Sequence, residues 1–342
     1  MVKSLETIFP ELEQGLPLLL KNIRDRFNKE KDSTEQVLKR YRWYVVEEET
    51  ECSCAATDSS FLLIESRIGH IYVIQGVAAV YIIQDNTIKR LAYKIFSDVG
   101  LISAIPTKKS YVVRKSIFKK ALTSYAYMLE LENIVDITST QAVDIVLIDG
   151  SFISFATTRI SKEAKTTIES VKGVYGLESI ENKKNVYLNE LSKKKYSVFL
   201  AKSSNAGFYT QGLYSDMYIL ELTRLYKIYP YYRSGFLEPV KININALSKI
   251  IDVSNIGISD ITVTYMRLRD NAPVYQISFP YEIHEEVIKY IASCLKRWSS
   301  SGYPAPLEYV HRISKIPRKS LINAMMLIGI PIISGREIIE IT

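Results

Sequence analysis

Over residues 1–48 the apolar positions fall at helical spacing. Leu12, Leu16, Leu19 and Leu20 recur three to four residues apart, ahead of the charged segment NIRDRFNKEKDSTEQVLKRYR. From Cys52 the period shortens to that of strands. SCAATDSS predicts a short strand of small residues ending in Asp58. HIYVIQGVAAVYII and IKRLAYKIF predict two more strands, turned at Gln84-Asp85-Asn86, so three antiparallel strands are expected in succession. RKSIFKKALTSYAYMLELENIV (114–135) is helix-patterned. Steps of 3, 4, 3 and 4 residues put Phe118, Ala121, Tyr125, Met128 and Glu132 on one face. AVDIVLIDGS then reads as a strand buried on both sides, stopping at Asp149-Gly150-Ser151.

Further on, 161–172 is helix-like, and YSVFLAKSS predicts another buried strand with Lys202 in the polar cluster at its end. SDMYILELTRLY is helical, and 261–280 is a hairpin turning at Arg269-Asp270-Asn271-Ala272. The C-terminal part is helical, broken by the turn-rich SSSGYPAP. With no internal repeat and no low-complexity linker, the expected organisation is a helical region over 1–48 followed by one domain over 49–342.

Composition narrows the class. Of 342 residues, 47% are hydrophobic and 24% charged, as in a folded protein with a sizeable core. No stretch approaches the ~20 apolar residues of a membrane helix. Glu6, Glu11 and Glu13 argue against a targeting signal, so a cytoplasmic location without membrane association is expected. Cys52, Cys54 and Cys294, with His70, His284 and His311, are too few and too scattered for a zinc site, and the cysteines read as small buried residues. Lys and Arg exceed Asp and Glu by 44 to 37, which is compatible with a polyanionic partner without requiring one. The 24 tyrosines mostly occupy apolar positions of strands and helices, where packing explains them.

The informative pattern is acidic. Two buried-type strands each terminate in aspartate, Asp58 and Asp149, and acids at the ends of neighbouring strands can converge. Glu132 on the intervening helix could complete the cluster. Carboxylates held together repel and raise one another's pKa unless cations join them. Hard divalent cations prefer such oxygen ligands, and in phosphodiester cleavage a pair ~3.5–4 Å apart orients water and stabilises the leaving oxygen. The plainer alternative is that Asp149-Gly150 is only a turn and Asp58-Ser59-Ser60 only a cap or loop start. The β-β-β-α-β order with acids at these positions also resembles an RNase H-like core, a likeness of fold rather than of chemistry.

These residues, taken in order, resemble the archaeal NurA nucleases. Asp58 in AATDSS matches that family's first aspartate motif, and Asp149 in LIDGS matches its second. GYPAPLEYVHRISKI is similar to its Gly-Tyr-Pro and downstream His element, here Gly302, Tyr303, Pro304 and His311. The likeness runs from about residue 50 to about 330, and the step of eight residues from Tyr303 to His311 is its most specific part. It implies an α/β fold in which a mixed sheet flanked by helices forms an RNase H-like core, with helical N- and C-terminal elaborations. It implies a homodimer that uses Mn²⁺ or Mg²⁺ and cuts DNA, as a 5′-to-3′ exonuclease on ends and an endonuclease on single strands. It also implies a partner, the hexameric HerA ATPase, in end resection for double-strand break repair.

On this resemblance Asp58, Glu132, Asp149 and His311 are metal ligands, and Tyr303 joins them in catalysis. Glu132 is preferred to Glu130 because it lies on the Phe118–Met128 face and because the family's glutamate precedes the second aspartate by a similar distance. His311 suits metal binding, proton donation or phosphate contact, against a structural role for a lone helical histidine. Tyr303 could stack on a base or brace the turn before Pro304, and Lys202 could neutralise phosphate or simply be solvated. Ser59 departs from the family, where glycine is common after the first aspartate; serine is tolerated there at negative φ. A catalytically weak or inactive scaffold that binds HerA and DNA is the alternative, and a nuclease acting on RNA or hybrids is a third.

Overall fold

A computed structural model describes residues 15–22, 25, 28–29, 36–66, 69–107, 113–157, 164–194, 196–244 and 257–330. Three long strands open the core: β2 (Cys54–Ser66), β3 (Gly69–Gln84) and β4 (Thr87–Pro106). β2 and β4 both pair antiparallel with β3, and the Gln84–Thr87 turn has Asp85 and Asn86 at positive φ, as a tight hairpin requires. The helix α1 (Lys115–Thr140) then crosses over to β5 (Ile145–Asp149), which runs parallel to β2, and β8 (Ser197–Ala201) runs parallel to β5. The order β4-β3-β2-β5-β8, antiparallel on one side and parallel on the other, is an RNase H-like core.

Further strands extend both edges. The sheet reaches twelve strands among the described residues, in the order β1-β9-β11-β12-β8-β5-β2-β3-β4-β6-β7 with β10 on β11. β1 (Trp43–Val45) pairs with β9 (Gly235–Leu237), and β10 (Val240–Asn243) leads to the hairpin β11 (Asp260–Arg267) and β12 (Val274–Phe279). The hairpin turns where expected, with Ala272 N–H donating to the Arg269 carbonyl at 3.1 Å. Residues 1–48 are therefore not helical throughout: 15–22 and 36–38 are, whereas Trp43–Val45 joins the sheet, and most of the rest before residue 36 lies outside the described residues.

Of the expected helix at 161–172, residues 161–163 lie outside the described residues and the rest is β6 (Ala164–Ser170) with the turn into β7 (Gly173–Gly176). Ala164, Thr166 and Ile168 are buried while Lys165 and Glu169 are exposed, a period of two that the β-branched residues favour. Alternation also divides the core. Ala55, Val80, Val146 and Ile148 face α1 and α3 (Leu177–Ser192). Ala56, Val77, Leu147 and Leu200 face α5 (Glu285–Arg297) and α6 (Ala305–Ser314) on the other side. The short α2 (Phe152–Ala156) follows β5, α4 (Asp216–Leu225) follows β8, and α7 (Arg318–Leu327) packs Ile322 and Met325 on Ile64 and Ile71. No helix among the described residues is long and apolar enough to cross a membrane.

Candidate metal centre

β5 ends in Asp149, and the chain must turn there. Gly150 does so at φ +126°, donating its N–H to the Leu200 carbonyl at 2.7 Å; a Cβ in its place would stand 2.9 Å from the Phe155 ring. Ser151 then caps α2, accepting from the Ser154 N–H at 3.1 Å. Asp149-Gly150-Ser151 is thus a turn and a helix cap as well as the mount for a carboxylate.

Asp58 is not at the end of its strand. Pairing with β3 carries β2 on to Ser66, whereas parallel pairing with β5 stops at Thr57 and Ile148. Asp58 therefore sits at the fork where β5 ends and β2 continues, next to Asp149. Its Oδ2 accepts from Ser314 Oγ at 2.6 Å and lies 2.9 Å from His311 Nδ1. Both partners are on α6, whose C-terminal end is tied to the sheet: Gln75 Nε2 donates to the carbonyls of Ile313 and Lys315 at 3.2 Å, and Ser60 Oγ donates to that of Ser314. One ligand atom each from Asp58, Asp149 and His311 lies within 4.8 Å of the others.

The Gly-Tyr-Pro segment feeds α6. Gly302 has φ +89° and lies where a Cβ would meet Ala272 at 2.7 Å, and Pro304 is the N-cap. Between them Tyr303 turns into the site, its hydroxyl 3.4 Å from Asp149 Oδ2. Burial first, then the charges of Asp149 and Asp58, push its phenol well above the usual range. Lys202, just past β8, places Nζ 2.6 Å from the same Asp149 oxygen and 4.7 Å from the Tyr303 ring centroid.

Residues 52–316 match the NurA domain family, a span from just before β2 to just past α6 that holds every residue so far placed at the site. The chain belongs to the NurA family. It is therefore one of a family of phosphodiester-hydrolysing nucleases. No curated protein matches the chain. Among solved structures, the NurA nuclease from Sulfolobus solfataricus is similar at 17% identity over 94% of this chain and 97% of that one, with a TM-score of 0.67. A NurA structure with manganese matches at 11% identity over 92% and 98%, TM-score 0.58. A NurA bound to dAMP and manganese matches at 12% identity over 91% and 97%, TM-score 0.55.

The two glutamates near the end of α1 are placed differently in this NurA domain. Glu132 turns away from the two aspartates, and its Oε1 accepts from the Tyr187 hydroxyl on α3 at 2.9 Å. Glu130 takes the inward place. Its Oε2 accepts from Ser59 Oγ at 2.9 Å, and its Oε1 is buried with no partner among the described residues. Burial, then repulsion by Asp58, lifts its carboxyl well above the usual range, with Ser59 opposing and Asp149 adding to the rise. Asp58 is raised too, by burial first, against the hydrogen bond from Ser314 and with Asp149 adding to it. Tyr127, one helical turn before Glu130, was not singled out by the sequence. Its phenol is pushed up to about 12 by burial and then by Glu130, Asp149 and Asp58.

Ser59 lies within β2, outside the positive-φ residues, so the family's glycine is not required by the backbone here. Its hydroxyl instead holds Glu130. Two carboxylates and an imidazole nitrogen, with the buried Glu130 carboxyl within the electrostatic reach of both aspartates, form a donor set suited to Mn²⁺ or Mg²⁺.

Proposed function

We propose that this NurA domain is an active, divalent-metal-dependent DNA nuclease using Mn²⁺ or Mg²⁺. It acts as a 5′-to-3′ exonuclease on DNA ends and as an endonuclease on single strands. The observation that carries this is the convergence of Asp58, Asp149 and His311 within 4.8 Å; the buried, unpartnered Glu130 oxygen belongs to a carboxyl that both aspartates repel. Manganese and dAMP in related NurA structures support the same choice of metal and substrate.

Asp58, Asp149 and Glu130 would hold the metal in this reading, beside His311. Bound metal lowers the pKa of the attacking water and stabilises the departing oxygen. Asp58 orients the His311 ring through Nδ1, which readies it for proton transfer to that oxygen. Lys202 exchanges its contact with Asp149 for a phosphate oxygen, and Tyr303 keeps the Lys202 side chain in place beneath it.

The domain works as a homodimer. On β4, Tyr93, Ile95, Val99, Leu101 and Ile105 all project from one face and are all exposed, and Leu91 is exposed at the bulge before them. An apolar row of this length is a surface to be covered, and a second copy of the strand is a matching cover. The HerA ATPase is the translocase partner in end resection for double-strand break repair, and the cytoplasm is where both operate.

The variant Asp149→Asn tests the proposal on end-labelled linear DNA in Mn²⁺. Loss of cleavage with unchanged thermal stability is expected, and cleavage at the wild-type rate would defeat it. A parallel panel of single-stranded DNA, duplex DNA, RNA and hybrid separates a DNA nuclease from one acting on RNA.

A further inference from the structure

A recess of about 490 Å³ opens between the β3–β4 hairpin and α6, lined by Tyr81, Ile88, Arg90, Tyr309, Arg312 and Ile313. The volume falls within the range of small-ligand sites. Two guanidiniums flank it, and among the described residues neither is paired with a carboxylate. Each instead lies over a tyrosine: Arg312 is 5.0 Å from the Tyr309 centroid and Arg90 is 4.2 Å from that of Tyr93. A guanidinium seated on a ring keeps its N–H donors at the edge, where they suit phosphate oxygens.

The recess shares its helix with the metal centre. Tyr309 and Arg312 bracket His311 on α6, and Tyr81 pairs with Cys54, on the same strand as Asp58. Four strand residues at ~3.3 Å each separate Cys54 from Asp58, or about 13 Å. We propose that this recess binds a nucleotide of a single DNA strand whose scissile bond lies at the metal centre. Its base stacks in the recess and its flanking phosphates meet Arg90 and Arg312. The inference rests on the nuclease reading and adds a second contact point on the same strand.

Fluorescence anisotropy without metal, where nothing is cut, tests it. The probes are a labelled single strand of roughly a dozen nucleotides and a labelled dinucleotide too short to reach the recess. Arg90→Ala/Arg312→Ala should weaken binding of the long strand by about tenfold or more and lower its salt slope by about 1.4, or ~0.7 per phosphate contact. The dinucleotide should bind as it does to the wild type. Arg90→Lys/Arg312→Lys should restore the slope. Wild-type affinity and slope for the long strand would overturn the proposal, as would an equal loss for the dinucleotide, which would mean a general disturbance of α6. Wild-type protein that cuts no DNA defeats the nuclease reading in the cleavage assay, and the anisotropy comparison still decides the recess.

Discussion

His311 Nδ1 stands 2.9 Å from Asp58 Oδ2 across 253 positions of the chain. That single contact joins the first core strand to α6, and the bonds of Ser314, Ser60 and Gln75 fix the end of the helix just beyond it. The metal centre therefore exists only when the sheet is complete and α6 is docked on it.

The two glutamates of α1 should separate cleanly. Glu130→Gln is expected to lower the cleavage rate at least about 100-fold, roughly 2.7 kcal/mol of barrier. Glu132→Gln should leave the rate within a few-fold, because Glu132 bonds Tyr187 instead. Without metal, Glu130→Gln should be as stable as the wild type or more so, since it removes a buried carboxyl that Asp58 and Asp149 repel. Single-turnover rates and thermal melts check both.

Ser59→Ala removes the hydroxyl that holds Glu130 Oε2. Mn²⁺ affinity, measured by titration calorimetry, should fall roughly 10- to 100-fold, the usual cost of losing a group that orients a ligand. An unchanged affinity would mean that Glu130 needs no such support.

Metal binding should strengthen with pH. Burial raises Asp58 and Glu130, so in the folded protein protons compete with the metal above the ordinary carboxylate range. The sign for stability follows: the metal-free fold keeps protons that the unfolded chain releases, so its stability falls as pH rises from the unfolded toward the folded pKa values. The gain in Tm on adding Mn²⁺ should accordingly be larger at about pH 8 than at about pH 5. A gain independent of pH would contradict this.

Ile95 is 61% exposed in the middle of the apolar row on β4. Ile95→Asp would bury an unpaired charge in the proposed dimer, at a cost of several kcal/mol. Light scattering should show dimer for the wild type and monomer for the variant.

Much of this was legible in the sequence where one period dominated. The apolar runs of β3 and β5 and the Arg269–Ala272 turn each mark their element because local pattern and tertiary environment agree. The length of β2 was not legible: strand pairing, not a terminator in the sequence, decides that it runs past Asp58. Nor was the choice of glutamate. α1 is buried against both the sheet and α3: Phe118 and Tyr125 of the stripe pack on the sheet, but Glu132 at its end bonds Tyr187 of α3, while Tyr127 and Glu130 turn toward the aspartates. Residues 164–170 misled because a lysine and two threonines among few apolar residues mask a two-residue period that pairing with β4 and β7 selects.

The central claim, a metal held by Asp58, Asp149 and Glu130 beside His311, is tested most directly by anomalous diffraction from crystals soaked in Mn²⁺. A manganese peak bonded to carboxylate oxygens of Asp58 and Asp149, at roughly 2.0–2.6 Å, with Glu130 turned toward it, is the expected result. A site left empty at saturating Mn²⁺, or a metal bound through Glu132 instead, would contradict it.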